Sequence, residues 1–418
     1  MKKPQNLSEF KISAAVVVFL TTAVFLSSFP ARACEADYPI WQVRSRNADP
    51  LYRFIRNGKA GYIDGTGKIV VAPTLRYYGN SGDEFFDGLL LTGVGDGPYI
   101  DRTGRVALRT GYYRNWEFSE GLAAAVAEDN GRWGYIDKTG KFVISPRFEW
   151  SLQNSVYSFS DGLAMIEVGE RYGYIDRTGE FVIEPRFLRG DDFSEGFARV
   201  VVDGPCLYVG DREPCDLFNG RIVGGTGGEK QAPACRFTFV DKSGAFLTDE
   251  RFDRVGSFSE GLAAVEKDGK WGFIDRKGKM AIAPRFDRTG MLDVPPRFSE
   301  GLASVKKGDF WGYIDKTGNF AIAPRFAAAG DFHDGRAVVE EARGGGGDDE
   351  AYYYIDPRGA PAFPGKFAAA SPFFKGVAHV RLIDPKRPKD DYYMNGKFAY
   401  IDVDGRKIFT YEVSSDDD

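Results

Sequence analysis

The stretch Phe258-Ser-Glu-Gly-Leu-Ala-Ala-Val-Glu-Lys-Asp-Gly-Lys-Trp271-Gly-Phe-Ile-Asp-Arg-Lys-Gly-Lys-Met-Ala-Ile-Ala-Pro284-Arg-Phe286 decides the fold. Leu262, Ala264 and Glu266 alternate with Ala263, Val265 and Lys267, the period of a short strand. Asp268-Gly269 is a hairpin signal, with Gly supplying positive φ. Trp271 to Ile274 forms a second strand, and Gly272, lacking a side chain, lets a ring or backbone approach closely. Asp275-Arg-Lys-Gly278 is a turn whose carboxylate accepts backbone N–H bonds. Met280 to Ile282 is the third strand, which Pro284 is expected to stop because it has no N–H to donate. Ser259-Glu260-Gly261 reads as another tight turn, and Phe258 and Phe286 as packing knobs between units.

The unit recurs. A second copy runs from Phe298 to Phe326, and earlier copies begin at Phe118 and Phe159. Equivalent aspartates stand at Asp64, Asp101, Asp137, Asp176, Asp241, Asp275, Asp315, Asp356 and Asp402, spaced 37, 36, 39, 65, 34, 40, 41 and 46 residues apart. The pattern gives nine units, with the fifth holding an insertion over 203–236. The first two and last two units diverge most, as exposed caps of an array should. Repeats 1–4 and the start of 5 occupy 52–202, the rest of repeat 5 and repeats 6–9 occupy 237–411, and 34–51 is a lead-in.

The F-S-E-G-L-A-x-V and W-G-[YF]-I-D-x-x-G stretches, followed by I-x-P-x-F, resemble the WG-repeat family, also called KWG repeats, of bacterial proteins. The resemblance spans about 52–411. Trp133, Trp271 and Trp311 keep the namesake residue. Tyr172 replaces it in one unit, and Pro98 precedes Tyr99 where a second unit lacks Trp-Gly. The resemblance implies a repeat protein that binds or scaffolds. Nine units of three strands favour an all-β, open curved array of β-meander repeats. A closed, propeller-like ring, normally of four to eight four-stranded blades, is the alternative.

Lys2, Lys3 and Lys11 flank an apolar run from Ile12 to Phe29, followed by Ala31-Arg32-Ala33, the pattern of an export signal over 1–33. The expected location is periplasmic or secreted, with no membrane span after cleavage. An uncleaved anchor facing the periplasm and a lipidated Cys34 are the alternatives. The formal charge of −5 becomes −8 once residues 1–33, with four Lys/Arg and one Glu, are removed. That gives no electrostatic reason to bind nucleic acid. The acidic end, 412–418, reads as a solvated tail. Gly, at 51 of 418 residues, exceeds the usual ~7%, as many turns between short strands require.

Cys34, Cys206, Cys215 and Cys235 permit two disulfides in an exported chain. Cys206–Cys215 is the easier closure and leaves Cys34–Cys235; Cys215–Cys235 is an alternative. Gly224 to Lys230 lacks the Ser or Thr of a phosphate loop. No cofactor, metal site or catalytic residue is implied. His333 and His379 have no nucleophile in a recognisable motif. Asp137, Asp176, Asp275 and Asp315 share one slot and read as structural turn residues, because glycoside chemistry needs one specialised pair. Arg147, Arg186, Arg285 and Arg325 are expected to pair with a turn Asp or with the Glu of F-S-E-G. Trp133, Tyr172, Trp271 and Trp311 are candidates either for binding or for inter-repeat packing. The expected function is non-enzymatic binding or scaffolding of an envelope protein or glycan. Two alternatives stand beside it: a glycan-acting enzyme using the insertion or Asp348, Asp349 and Glu350, and a structural spacer.

Overall fold

A computed structural model of the chain describes residues 50–76, 84–93, 97–128, 131–149, 157–203, 236–288, 294–341, 351–384 and 396–413. All lie in one compact unit, Ile40–Asp418. The expected export signal over 1–33, the four cysteines, the Gly-rich tract with its Lys230 and the acidic Asp348, Asp349 and Glu350 lie outside the described residues.

The described chain is all-β, with thirty strands and no helix. In the sixth unit, strands Leu262–Lys267, Lys270–Asp275 and Met280–Asp287 form an antiparallel meander. Lys267 opposes Lys270 across the Asp268-Gly269 turn, where φ is 54° and 73°. The third strand does not stop at Pro284. Phe273 pairs with Ile282 and Trp271 with Phe286, so Gly272 alone faces three residues, Ala283, Pro284 and Arg285. Proline is tolerated because it sits in a bulge and owes the ladder no N–H. The bulge needs the glycine: a Cβ on Gly272 would come to 2.5 Å from the Ile282 carbonyl oxygen and 2.7 Å from Pro284 N.

The same pairing recurs at Gly61 with Pro73, Gly134 with Pro146, Gly173 with Pro185 and Gly312 with Pro324. Where alanine replaces the glycine, in the ninth unit, the wide bulge is absent. Ala399 faces a third strand, Lys407–Val413, that pairs in nearly continuous register. Thr238 and Tyr353 face segments reduced to isolated bridges, Phe237 with Phe252 and Tyr352 with Phe367. Because that last strand reaches Val413, Glu412 and Val413 belong to the sheet and not to the tail. The insertion replaces a hairpin tip: its two ends, Asp203 and Arg236, are paired.

Neighbouring units share strands and rings. The strand Phe320–Ala329 pairs first with its own unit, Trp311 opposite Phe326, and then with the next, Ala328 opposite Glu340. Two-residue strands such as Arg254–Val255 and Ala369–Ala370 add a fourth strand in some units. An aromatic on each second strand meets the Phe that opens the next unit: Tyr135 with Phe159 at 4.7 Å, Phe239 with Phe258 at 5.1 Å, and Phe273 with Phe298 at 4.9 Å. Phe258 is thus a knob between units. Phe286 pairs mainly within its own, and reaches Phe320 of the next at 6.0 Å.

Among the described residues no sheet closes on itself. The array is open in its strand pairing, and its curvature nevertheless brings the ninth unit against the first. Tyr400, in the second-strand aromatic slot, meets Tyr52 of the first strand of unit one at 5.6 Å. Gly67 lies on the Ile408 backbone as Gly318 lies on Ile282 of its neighbour. The Tyr52 hydroxyl donates to the Phe374 carbonyl at 2.8 Å, and Tyr400 donates to the Arg53 carbonyl. The terminal units are therefore not exposed caps. Phe54 and Ile63 are fully buried, and the divergence of these units reflects a seam made with each other.

Candidate functional site in the turns between units

The two turns at one end of each unit carry most of the repeated polar residues. In every Asp-x-x-Gly turn the aspartate carbonyl accepts the glycine N–H, at 2.8 to 3.0 Å. One carboxylate oxygen takes the N–H groups two and four residues on, as in Asp315 with Thr317 at 2.9 Å and Asn319 at 3.1 Å. Asp137, Asp176, Asp275 and Asp315 are all held this way. These bonds hold Asp64, Asp101, Asp137, Asp176, Asp241, Asp275, Asp315 and Asp356 below the usual carboxylate range. The largest cause is a Thr hydroxyl at five of them, the Ser243 hydroxyl at Asp241, the Lys279 N–H at Asp275 and the Arg358 side chain at Asp356. A depressed folded-state pKa means stability that is complete above the unfolded value near 3.9 and lost as pH falls through the folded values. Urea midpoints measured from pH 6 to 2 should therefore hold down to about pH 4 and then fall. Thr139→Val with Thr317→Val should lower the midpoint at pH 6 and shrink the fall below pH 4, and coincident profiles would refute the assignment.

The second turn, F-S-E-G, joins the units. Its third residue adopts left-handed φ, 52° to 56°, at Asp87, Glu120, Asp161, Glu195, Glu260, Glu300 and Asp334. Carboxylates tolerate this poorly compared with Gly or Asn, and the geometry shows the compensation. Each carboxylate accepts the glycine N–H of the next unit's turn: Asp87 from Gly121, Glu120 from Gly162, Asp161 from Gly196, Glu195 from Gly261, Glu260 from Gly301, Glu300 from Gly335 and Asp334 from Gly376. The serine beside it donates to the next unit's Phe carbonyl, as Ser259 does to Phe298 at 2.7 Å. A base from the next unit completes the clasp, as Lys316 does at 3.2 Å from Glu260. Burial alone would raise the Glu260 carboxyl; Lys316 and the Gly301 N–H outweigh it and lower it. In the ninth unit Lys375 takes the acidic slot, and the relay ends there.

Glu260→Gly relieves the left-handed backbone but removes the clasp. It is expected to cost about 1 kcal/mol net, with faster hydrogen exchange at the junction of units six and seven; unchanged exchange there would refute the clasp.

The arginines pair differently from expectation. Arg285 donates to the carbonyl of Gly318 in the next unit's turn at 2.5 Å, and Arg147, Arg186 and Arg325 bond Gly179, Gly244 and Gly359 likewise. A planar guanidinium lying over the adjacent Phe ring, 5.2 Å for Arg285 on Phe286, is aimed at a carbonyl and not at a carboxylate. Trp133, Tyr172 and Trp271 are buried, and Trp311 is half-buried. His379 is half-buried with Nε2 2.9 Å from the Tyr411 hydroxyl.

Sequence reasoning missed a row of apolar side chains near the start of the third strands. Ile69, Val106, Val143, Val182, Phe246, Met280 and Phe320 are each 36% to 51% exposed. The signal was an apolar residue shortly after each turn glycine, read only as part of a strand.

Among solved structures, the chain is similar to one titled as the eukaryotic initiation factor, at 10% identity and a TM-score of 0.44, covering 90% of this chain and 91% of that one. It is also similar to BamB from Moraxella catarrhalis (10%, TM-score 0.37, 74% and 92%) and to Kluyveromyces lactis Hsv2p (9%, 0.32, 88% and 98%). No curated protein matches in sequence. The family model for the WG-containing repeat matches five times, at residues 133–172, 172–204, 237–271, 271–309 and 311–342. With the Trp-Gly pair, the bulged I-x-P-x-F strand and the Asp-x-x-Gly turn recurring in one geometry, the chain belongs over residues 133–342 to the WG-repeat family.

Proposed function

We propose that the chain is an exported, non-enzymatic repeat protein that holds a protein or glycan partner of the bacterial cell envelope along an extended surface. The observation that carries this is apolar exposure near the start of the third strand in seven units, at Ile69, Val106, Phe246, Met280 and Phe320 two residues after the turn glycine and at Val143 and Val182 three residues after it. Apolar exposure recurring from unit to unit suits a partner contacted at several units. The acidic residues of both turns are engaged in holding the array, which favours binding over carboxylate chemistry. Export is supported by the basic flank, the apolar run and Ala31-Arg32-Ala33, and by four cysteines suited to an oxidising compartment.

The test is capture from envelope extract with the full mature chain and with a Val143→Lys, Val182→Lys, Met280→Lys variant. A saturable partner retained by the first and lost by the second supports the reading; equal retention or no saturable partner overturns it. Non-reducing peptide mapping should find Cys206 joined to Cys215, and free thiols at both would count against export.

A further inference from the structure

Three units lack the serine of the clasp, and in the second and ninth a phenylalanine, Phe86 and Phe374, fills the slot. Ser119, Ser160, Ser194, Ser259 and Ser299 each donate to the Phe carbonyl of the following unit, at 2.6 to 3.0 Å. In the eighth unit the slot holds His333. Its backbone keeps the turn, pairing with Arg336 in both directions. Its Nε2 is buried with no hydrogen-bond partner, although the residue as a whole is half-buried, and the adjacent Asp334 binds Gly376 of the ninth unit. A neutral imidazole bears this at modest cost. An imidazolium carries N–H on both nitrogens and a full charge, and a buried charge without a partner is far more costly.

The charged groups around His333 are Asp331, Arg297, Glu300 and Asp334. None of the three carboxylates is idle. Asp331 holds Arg297 at 2.5 Å and Ser304 at 3.3 Å. Glu300 accepts the Gly335 N–H and Asp334 the Gly376 N–H, each at 2.8 Å. A protonated His333 would compete for these carboxylates, and drawing Asp334 toward the ring would weaken its bond to Gly376, the one that clasps unit nine.

We propose that His333 is a proton-operated joint: neutral, it leaves the clasp between units eight and nine intact, and protonated, it loosens that clasp and the seam that unit nine makes with unit one. Burial holds the ring below its ordinary value, Asp331 pulls the other way and Arg297 adds to the lowering. With the folded value below the unfolded one, the joint is fully stable above about pH 6.5 and weakens as pH falls below it.

The test is hydrogen exchange of the full chain at pH 7.5 and 5.5, corrected for intrinsic rates. It compares the natural sequence, His333→Ser, which restores the serine of the sister units, and His379→Gln, which removes the other histidine. Protection over 369–381 and 52–56 should fall severalfold from pH 7.5 to 5.5 in the natural sequence and in His379→Gln. It should stay constant in His333→Ser, while 262–275 should not change in any of them. The same loss in His333→Ser, or a loss abolished by His379→Gln, overturns the proposal.

Discussion

Gly272→Ala is expected to destabilise the sixth unit by about 3 kcal/mol, a large penalty for one methyl group. Alanine ordinarily gains several tenths of a kcal/mol over glycine by restricting the unfolded chain. Here the added carbon would sit 2.5 Å from the Ile282 carbonyl oxygen and 2.9 Å from Pro284 Cα, and both are backbone. Neither can swing away as a side-chain tip can, so the bulge must open. The ninth unit supplies the control, because Ala399 already faces a strand without the bulge. Ala399→Gly should therefore cost no more than about 1 kcal/mol. Hydrogen exchange over 270–287 and 396–413 measures the two locally. A Gly272→Ala variant as protected as the natural chain would refute the steric account.

Trp271→Ala is expected to cost about 3–5 kcal/mol. The ring is 1% exposed and packs in one cluster with Phe273, Ile282, Phe286, Phe298 and Val305. That cluster joins units six and seven, so the damage should appear as lost protection in both and fade with distance along the array. Trp311 holds the same slot one unit on but is only half-buried, and Trp311→Ala should cost markedly less. A Trp271→Ala chain of natural stability that had lost only its partner would overturn the packing role.

Local chemistry was legible in the sequence and remote chemistry was not. The meander at 258–286 could be read because each element is written within a few residues: period-two strands, Asp268-Gly269 and Asp275-x-x-Gly278. The Gly272 approach was also legible in kind. Pro284 misled because its effect depends on what lies across the strand. A proline opposite a side chain would end the ladder; opposite Gly272 it completes a bulge. The carboxylate clasps escaped notice because Glu260 and Gly301 are 41 residues apart and only the turn backbone joins them. His333 looked like an ordinary turn residue, since nothing local marks the missing bond to the next unit. The seam was the hardest of all. The first and last units read as worn copies of a motif, and only the meeting of Tyr52 with Tyr400 shows why they differ.

That meeting bears on how the chain folds. The clasps between neighbouring units described above span about 33 to 66 residues, whereas Tyr52 reaches Phe374 across 322 and Tyr400 reaches Arg53 across 347. Closing a loop about five to ten times longer from the unfolded chain costs about 1.5–2 kcal/mol more in entropy, and long-range contacts form slowly. The economical order is to zip unit onto unit from any starting point, with each addition shortening the free path between the ends. The joining of first to last then becomes a docking of two preformed surfaces, the slow and final event in a reaction whose earlier steps are all local.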